Sequence, residues 1–335
     1  MKKNLRLTIC YMTVLLCAAA STAVGQHPDF SVLRVICLPV RPLALVVAET
    51  DGVFAKHGIS VQAEVAPNSA VLRTGLASGQ FAIAHAAVDN EVAMFESGET
   101  DVVIVMGGEG STNEVIAQPG IHSIADLRGK TLIVDAPHTA YALQLKKILL
   151  SNGMEAGRDY QLQQVGSTPI RRQAMRENKD FAASMLGAPT SVLAKADGFV
   201  SLGTTQQLLG PYQAIGAFVR RSWAQDNSAL LVRYIAAFIE AQRWLLAPAN
   251  KQQVIALMAK EWKLTPTEAG EAYTITVERP GGFENDARFD EEGFKEVLKI
   301  RAEVEGQWHG KPPAPERYFD LSYYSKALKS LKSSN

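Results

Sequence analysis

The sequence predicts an α/β protein of two lobes, each a helix-flanked sheet, on three observations. Short apolar runs alternate with amphipathic stretches of helical length from residue 33 onward, and that pattern restarts near residue 123. Two extended segments, NEVIAQP (113–119) and YQAIGAFVRR (212–221), stand where a chain would leave one lobe and later return. Strands that alternate with helices pair in parallel, because each helix carries the chain back across the sheet. With 335 residues, 47% of them hydrophobic, the chain exceeds what one small core absorbs.

The first unit opens with LRVICL (33–38) and a helical PLALVVAETDGVFAKHG, then ISVQAEV, a helix around SAVLRTGLASG, FAIAHA, a helix over VDNEVAMFESG, and DVVIVM. The unbroken apolar character of FAIAHA and DVVIVM suits strands covered on both faces. The second unit runs through TLIVDA, a helix from about Thr139 to Asn152, YQLQQV, RRQAMREN, FAASML, TSVLAKADG and FVSL. From Asn227 the sequence is helical, and Leu230, Leu231, Tyr234, Ile235, Phe238 and Ile239 recur at helical spacing, which marks a face packed on the first lobe. Trp244 and Trp262 read as core in the same way, and the tail KPPAPERYFDLSYYSKALKSLKSSN as a surface wrap with a short final helix. The expected division is 28–115 plus 219–335 for lobe one and 116–218 for lobe two.

Residues 1–25 read as a secretory signal peptide: Lys2, Lys3 and Arg6 precede an apolar stretch from Leu7 to Ala20, and small residues follow. That stretch is shorter than the roughly 20 residues a membrane span needs, so periplasmic export with cleavage is expected. Cys10 and Cys17 fall inside the leader, leaving Cys37 alone in the mature chain, with no internal disulfide. Lys plus Arg balances Asp plus Glu at 34 each, which removes the positive field that binding a nucleic acid would use.

Gly129-Lys130-Thr131 resembles a nucleotide loop only superficially. A P-loop needs a glycine five residues earlier and must follow a strand; here position 124 is Ile and the triplet precedes TLIVDA, so it reads as a turn. GGEGST (107–112) reads as a flexible connection. There is no G-x-S-x-G elbow, no H-E-x-x-H and no cysteine pair for a metal, so no catalytic residue, metal or cofactor is assigned. Open α/β sheets bind ligands beyond the carboxyl ends of their strands, where helix N-termini favour an anion. That rule selects Pro39 and Arg41 after LRVICL, Asn68 and Ser69 after ISVQAEV, and His85, Asp89 and Asn90 after FAIAHA. It also selects Gly107 to Glu109 after DVVIVM, Pro137, His138, Thr139 and Tyr141 after TLIVDA, and Gly187 after FAASML.

LRVICLPVRPLALVVAETDGVFAKHGISVQ, GLASGQFAIAHA, DLRGKTLIVDAP, LLSNGMEAGRDYQLQQVG and AASMLGAPTSVLAKADG occur in an order and spacing that resembles the type II periplasmic substrate-binding proteins of ABC importers, in the branch handling nitrate, sulfonates, taurine and thiamine-pyrimidine-like compounds. The resemblance covers nearly the whole mature chain. It implies a two-lobed fold of mixed sheets flanked by helices, joined by two hinge strands, that closes over a small-molecule ligand. Arg41, His85, His138 and the helix N-termini favour an organic anion such as a sulfonate or carboxylate, whereas Asp89, Asn90, Glu109 and Tyr141 suit a neutral or amine-bearing heterocycle. The resemblance further implies a monomer serving an ABC permease and a separate ATPase, since the chain has no Walker A motif. The alternatives are an enzyme on the same scaffold resembling thiamine-pyrimidine synthases, and a periplasmic ligand sensor.

Overall fold

The computed structural model describes residues 31–333, so the leader expected over 1–25 lies outside the described residues. The first unit comprises β1 (Ser31–Cys37), α1 (Leu43–Thr50), α2 (Val53–Lys56), β2 (Ile59–Val65), α3 (Ser69–Ala77), β3 (Ile83–Ala87), α4 (Asp89–Glu96) and β4 (Val102–Glu109). The second comprises β5 (Glu114–Ala117), β6 (Thr131–Val134), α5 (Ala140–Ser151), β7 (Gln161–Gln164), α6 (Thr168–Glu177), β8 (Phe181–Leu186), α7 (Thr190–Ala196), β9 (Val200–Thr204) and α8 (Thr205–Leu208). The chain then returns through β10 (Ile215–Arg220), α9 (Arg221–Asp226), α10 (Ser228–Leu246), α11 (Lys251–Trp262), α12 (Pro266–Tyr273), α13 (Glu291–Glu305) and α14 (Ser322–Ser333).

Two five-stranded sheets result, ordered β2-β1-β3-β10-β4 and β7-β6-β8-β5-β9. β1 pairs in parallel with β2 and β3, and β6 with β7 and β8. Apolar clusters lie on both faces of each sheet, Val35 and Tyr234 in one, Ile36 and Phe218 in the next, Leu132 and Ile133 on opposite faces of the second sheet. The two segments read as bridges are corrected: β5 and β10 are interior strands, antiparallel to both neighbours. A buried extended segment satisfies its N–H and C=O groups on two flanking strands, which a bare crossover cannot do. The chain therefore changes sheets at 110–113 and between β9 and β10, a few residues earlier than the composition suggested.

GGEG is a site of close approach rather than a loose connection. A Cβ on Gly107 would stand 2.1 Å from the carbonyl oxygen of Arg288, and one on Gly110 2.9 Å from that of Gly281. Backbone cannot step aside as a side chain can, so Gly107→Ala is expected to lower stability by about 3 kcal/mol, the upper part of the usual overpacking range. A urea midpoint shift at constant m checks it.

The tail also differs from the surface wrap expected. Tyr318 is fully buried, its carbonyl accepts from Ile104 N at 2.9 Å beside the β4 edge, and Tyr323, Tyr324 and Ala327 join the core. The lysines of α14 do point outward, so the charge pattern was visible while the aromatic face opposite it carried the packing. The lobes also touch away from the crossovers: Lys147 of α5 meets Glu303 of α13 at 2.5 Å, Lys146 meets Glu305 at 2.9 Å, and Lys195 of α7 meets Glu271 of α12 at 2.6 Å.

Candidate functional site

A cleft runs between the two sheets, lined by the loops that follow their strands. Its wider part is a cavity of about 580 Å³, and a narrower part of about 80 Å³ continues from it past Leu38, Pro39, Ala87, Ala140, Tyr141 and Ile215. The N-termini of three helices border the wider part. Asn68 Oδ1 accepts from Val71 N at 3.0 Å and caps α3; Thr139 Oγ1 accepts from Ala142 N at 3.4 Å and caps α5; Ser167 precedes α6 with no side-chain cap. The unpaired N–H groups and aligned dipoles at such ends favour negative charge between them.

Most residues selected from the sequence line this cleft. Asn68, Ser69, Asn90, Pro137, His138 and Thr139 border the wider part, Arg41, His85 and Gly187 the narrower, and Pro39 and Tyr141 both. Thr139 thus caps its helix and faces the cleft, with its hydroxyl also donating to Asp135 Oδ1 at 2.6 Å. Several of the side chains are committed elsewhere. His85 Nε2 lies 2.7 Å from the Tyr234 hydroxyl, its ring stacks on Phe238, and burial pulls its pKa down to about 3, so the ring stays neutral. His138 is largely exposed and pairs with Glu305, while Arg41 pairs with Glu49. Asp89 borders neither part: its carboxylate pairs with Arg301 at 2.5 Å, both side chains being about 5% exposed or less. This corrects its selection as a ligand group, because a charge at an α4 start that is filled by a buried guanidinium is already neutralised.

Two cleft cations escaped the sequence reading. Arg171, fully buried on α6, donates through Nε to the Gly166 carbonyl at 3.0 Å and through one terminal nitrogen to Ser184 Oγ and the Met185 carbonyl at 2.9 and 2.7 Å. Its other terminal nitrogen is buried with no partner, and the guanidinium lies over the Tyr141 ring at 5.1 Å. Burial pulls its pKa down, against the Asp135 carboxylate and Tyr141, yet guanidinium stays charged. Arg73 on α3 borders the same cavity from the other lobe and forms no ion pair among the described residues. The sequence signal for Arg171 is the strand end of YQLQQV, which leads through Gly166 and Ser167 into α6. Trp262, read as core, packs on the first lobe and also borders the narrower part.

The profile of the NMT1-like family matches residues 38–259, more than half of the chain. The chain belongs to the NMT1-like family. A Brucella abortus protein provisionally named a binding protein is 24% identical over 237 residues, spanning 69% of this NMT1-like chain and 72% of that one. Among solved structures, the periplasmic nitrate-binding protein NrtA of Synechocystis PCC 6803 superposes with a TM-score of 0.73 at 15% identity, covering 91% of this chain and 90% of its own. The periplasmic aliphatic sulphonate-binding protein SsuA of Escherichia coli gives 0.70 at 17% identity, covering 87% and 92%. The desulfurization enzyme DSZB gives 0.62 at 14%, covering 90% and 99%. At these identities the likeness shows the periplasmic binding protein fold shared by this NMT1-like chain.

Proposed function

We propose that this NMT1-like protein is the extracytoplasmic solute-binding component of an ABC import system, exported by its leader, that closes on a small organic anion and delivers it to a membrane permease driven by a separate ATPase. The observation that carries the reading is the Arg171 guanidinium, buried in the cleft wall with one terminal nitrogen unpartnered. A buried donor with no acceptor costs free energy, and an anionic ligand supplies the acceptor. Arg73 on the facing lobe and three helix N-termini point at the same cavity, so an anion there contacts both lobes and stabilises the closed form over the open one. The family match, the binding-protein relative and the binding-protein folds support a carrier, and the sulphonate and nitrate carriers among them favour an oxyanion headgroup.

Catalysis on the same scaffold, as the desulfurization enzyme shows to be possible for the fold, finds less support. Cys37, the free thiol of the described residues, is fully buried, and desolvation pushes its pKa up to about 12, against the pull of Arg41, so it is withheld from thiolate chemistry.

Arg73→Gln tests the anion reading without disturbing the core, since Arg73 is half-buried and forms no ion pair among the described residues. Its affinity for the anion selected by a thermal-shift screen of sulfonates and carboxylates is expected to fall by roughly tenfold, with the ligand-free melting temperature unchanged. Unaltered affinity would place the anion elsewhere.

A further inference from the structure

We propose that the ligand is bipolar: an acid whose anionic group lies between Arg73 and Arg171 and whose other end presents an ammonium group to the carboxylate of Glu109. This rests on the anion-binding reading above and adds its second pole.

Glu109 ends β4 and borders the narrower part of the cleft. Its backbone is pinned: its carbonyl accepts from Ala214 N and Gln213 Nε2, both at 3.2 Å, and it pairs across to Ile215 and Phe283. The carboxylate is therefore presented from a rigid strand tip. It accepts one long hydrogen bond, from Thr112 Oγ1 at 3.4 Å, and no ion pair involves it among the described residues. Of the neighbouring carboxylates, Glu49 is neutralised by Arg41 and Glu114 by Lys195 at 3.1 Å, while Asp135, on the wider part, accepts from Thr139 Oγ1 at 2.6 Å and lies in the field of Arg171.

The groups that line this part of the cleft with Glu109 form no ion pair with it among the described residues. From β3 comes His85, neutral for the reason given above; from the loop after β1 comes Arg41, whose terminal nitrogen is held by Glu49 while its Nε is buried without a partner; from α5 come Tyr141 and Gln144; from the segment after α12 come Thr276 and Phe283. Tyr141 stays protonated, burial holding its pKa above the ordinary phenol range. A carboxylate partly withdrawn from water without a cation is unfavourable, and desolvation accordingly raises the Glu109 pKa to about 7. A ligand ammonium completes this site as a ligand anion completes that of Arg171. Tyr141 stands between the two poles: it borders both parts of the cleft, under the guanidinium of Arg171, and the charge of Glu109 bears on its hydroxyl. The poles thus flank one aromatic side chain, which suits a compact skeleton with the two charges at opposite ends.

The sign of the pH dependence follows. An ammonium group binds the ionised carboxylate, so binding expels the Glu109 proton below about pH 7 and affinity for such a ligand rises with pH up to that point, by at most about tenfold per unit, then levels.

Calorimetry of the intact mature protein with matched probes tests this: propanesulfonate against 3-aminopropanesulfonate, butyrate against 4-aminobutyrate, and 4-methylbenzenesulfonate against 4-(aminomethyl)benzenesulfonate. In at least one pair the amine member is expected to bind at least roughly tenfold more tightly near pH 8, with proton release near pH 6. In Glu109→Gln that preference is lost, while the amine-free member binds no more weakly than to the wild type and an unchanged circular-dichroism spectrum certifies the fold. Equal or tighter binding of every amine-free member that binds, unaffected by Glu109→Gln, overturns the second pole and leaves the anion site standing. Binding of no probe at millimolar concentration overturns both.

Discussion

Arg171→Met is expected to cost roughly 3 kcal/mol of binding free energy, about a hundredfold in Kd, while changing the stability of the ligand-free protein by less than about 2 kcal/mol. The affinity figure is that for truncating one partner of a buried charge pair. The small stability effect comes from two opposed terms. Loss of the guanidinium orphans the Gly166 and Met185 carbonyls, which costs about 1–3 kcal/mol each. Ser184 Oγ is spared, since it still donates to the Ile133 carbonyl at 2.8 Å. Against this, a buried cation with an unfilled donor leaves the interior, and an apolar side chain of similar length takes its place. A site residue held against stability shows this pattern. Titration calorimetry and urea denaturation on one preparation measure both terms. A variant that unfolds yet binds normally in its folded fraction would make Arg171 purely structural.

Asp89→Ala is expected to behave in the opposite way. The carboxylate pairs with Arg301 of α13 in a nearly dry environment. Removing it strands a guanidinium whose other side-chain partner is Gln307 Oε1 at 2.9 Å. Breaking such a pair costs roughly 3–5 kcal/mol, a large share of a total that is typically 5–15 kcal/mol. Affinity in the folded fraction should stay within about twofold, because Asp89 borders neither part of the cleft. Near-normal stability with lost binding would restore the role that the sequence alone gave it.

These two residues show how far the sequence could be read. A strand tip leading into a helix is a local pattern, so the turns at Pro39, Asn68, Thr139 and Gly187 were found, and all border the cleft. Which charge at a turn is free is not local. Asp89 and Arg301 are 212 residues apart in the chain, and nothing in either neighbourhood announces the pairing. His138 and Arg41 were chosen as donors for the same reason, and Glu305 and Glu49 already hold them. The end of YQLQQV points to the start of α6, but RRQAMREN carries three arginines, and only the packing of α6 against β8 shows which turns inward: Arg171 does, while Arg172 reaches Asp197 at 2.6 Å.

The sequence by itself determined the alternation of strands and helices, the restart that makes two sheets, the turn at Gly129-Lys130-Thr131 and the ring of strand ends at which a ligand could sit, because hydrophobic period and turn chemistry are properties of short windows. Only the tertiary structure decided that β5 and β10 are interior antiparallel strands, that the GGEG glycines mark a backbone contact, and that Arg73, Arg171, Asp135 and Glu109 border the cleft without an ion pair among the described residues. Partnership between charges depends on which distant elements pack together and how much water they exclude, and no short window of residues carries that information.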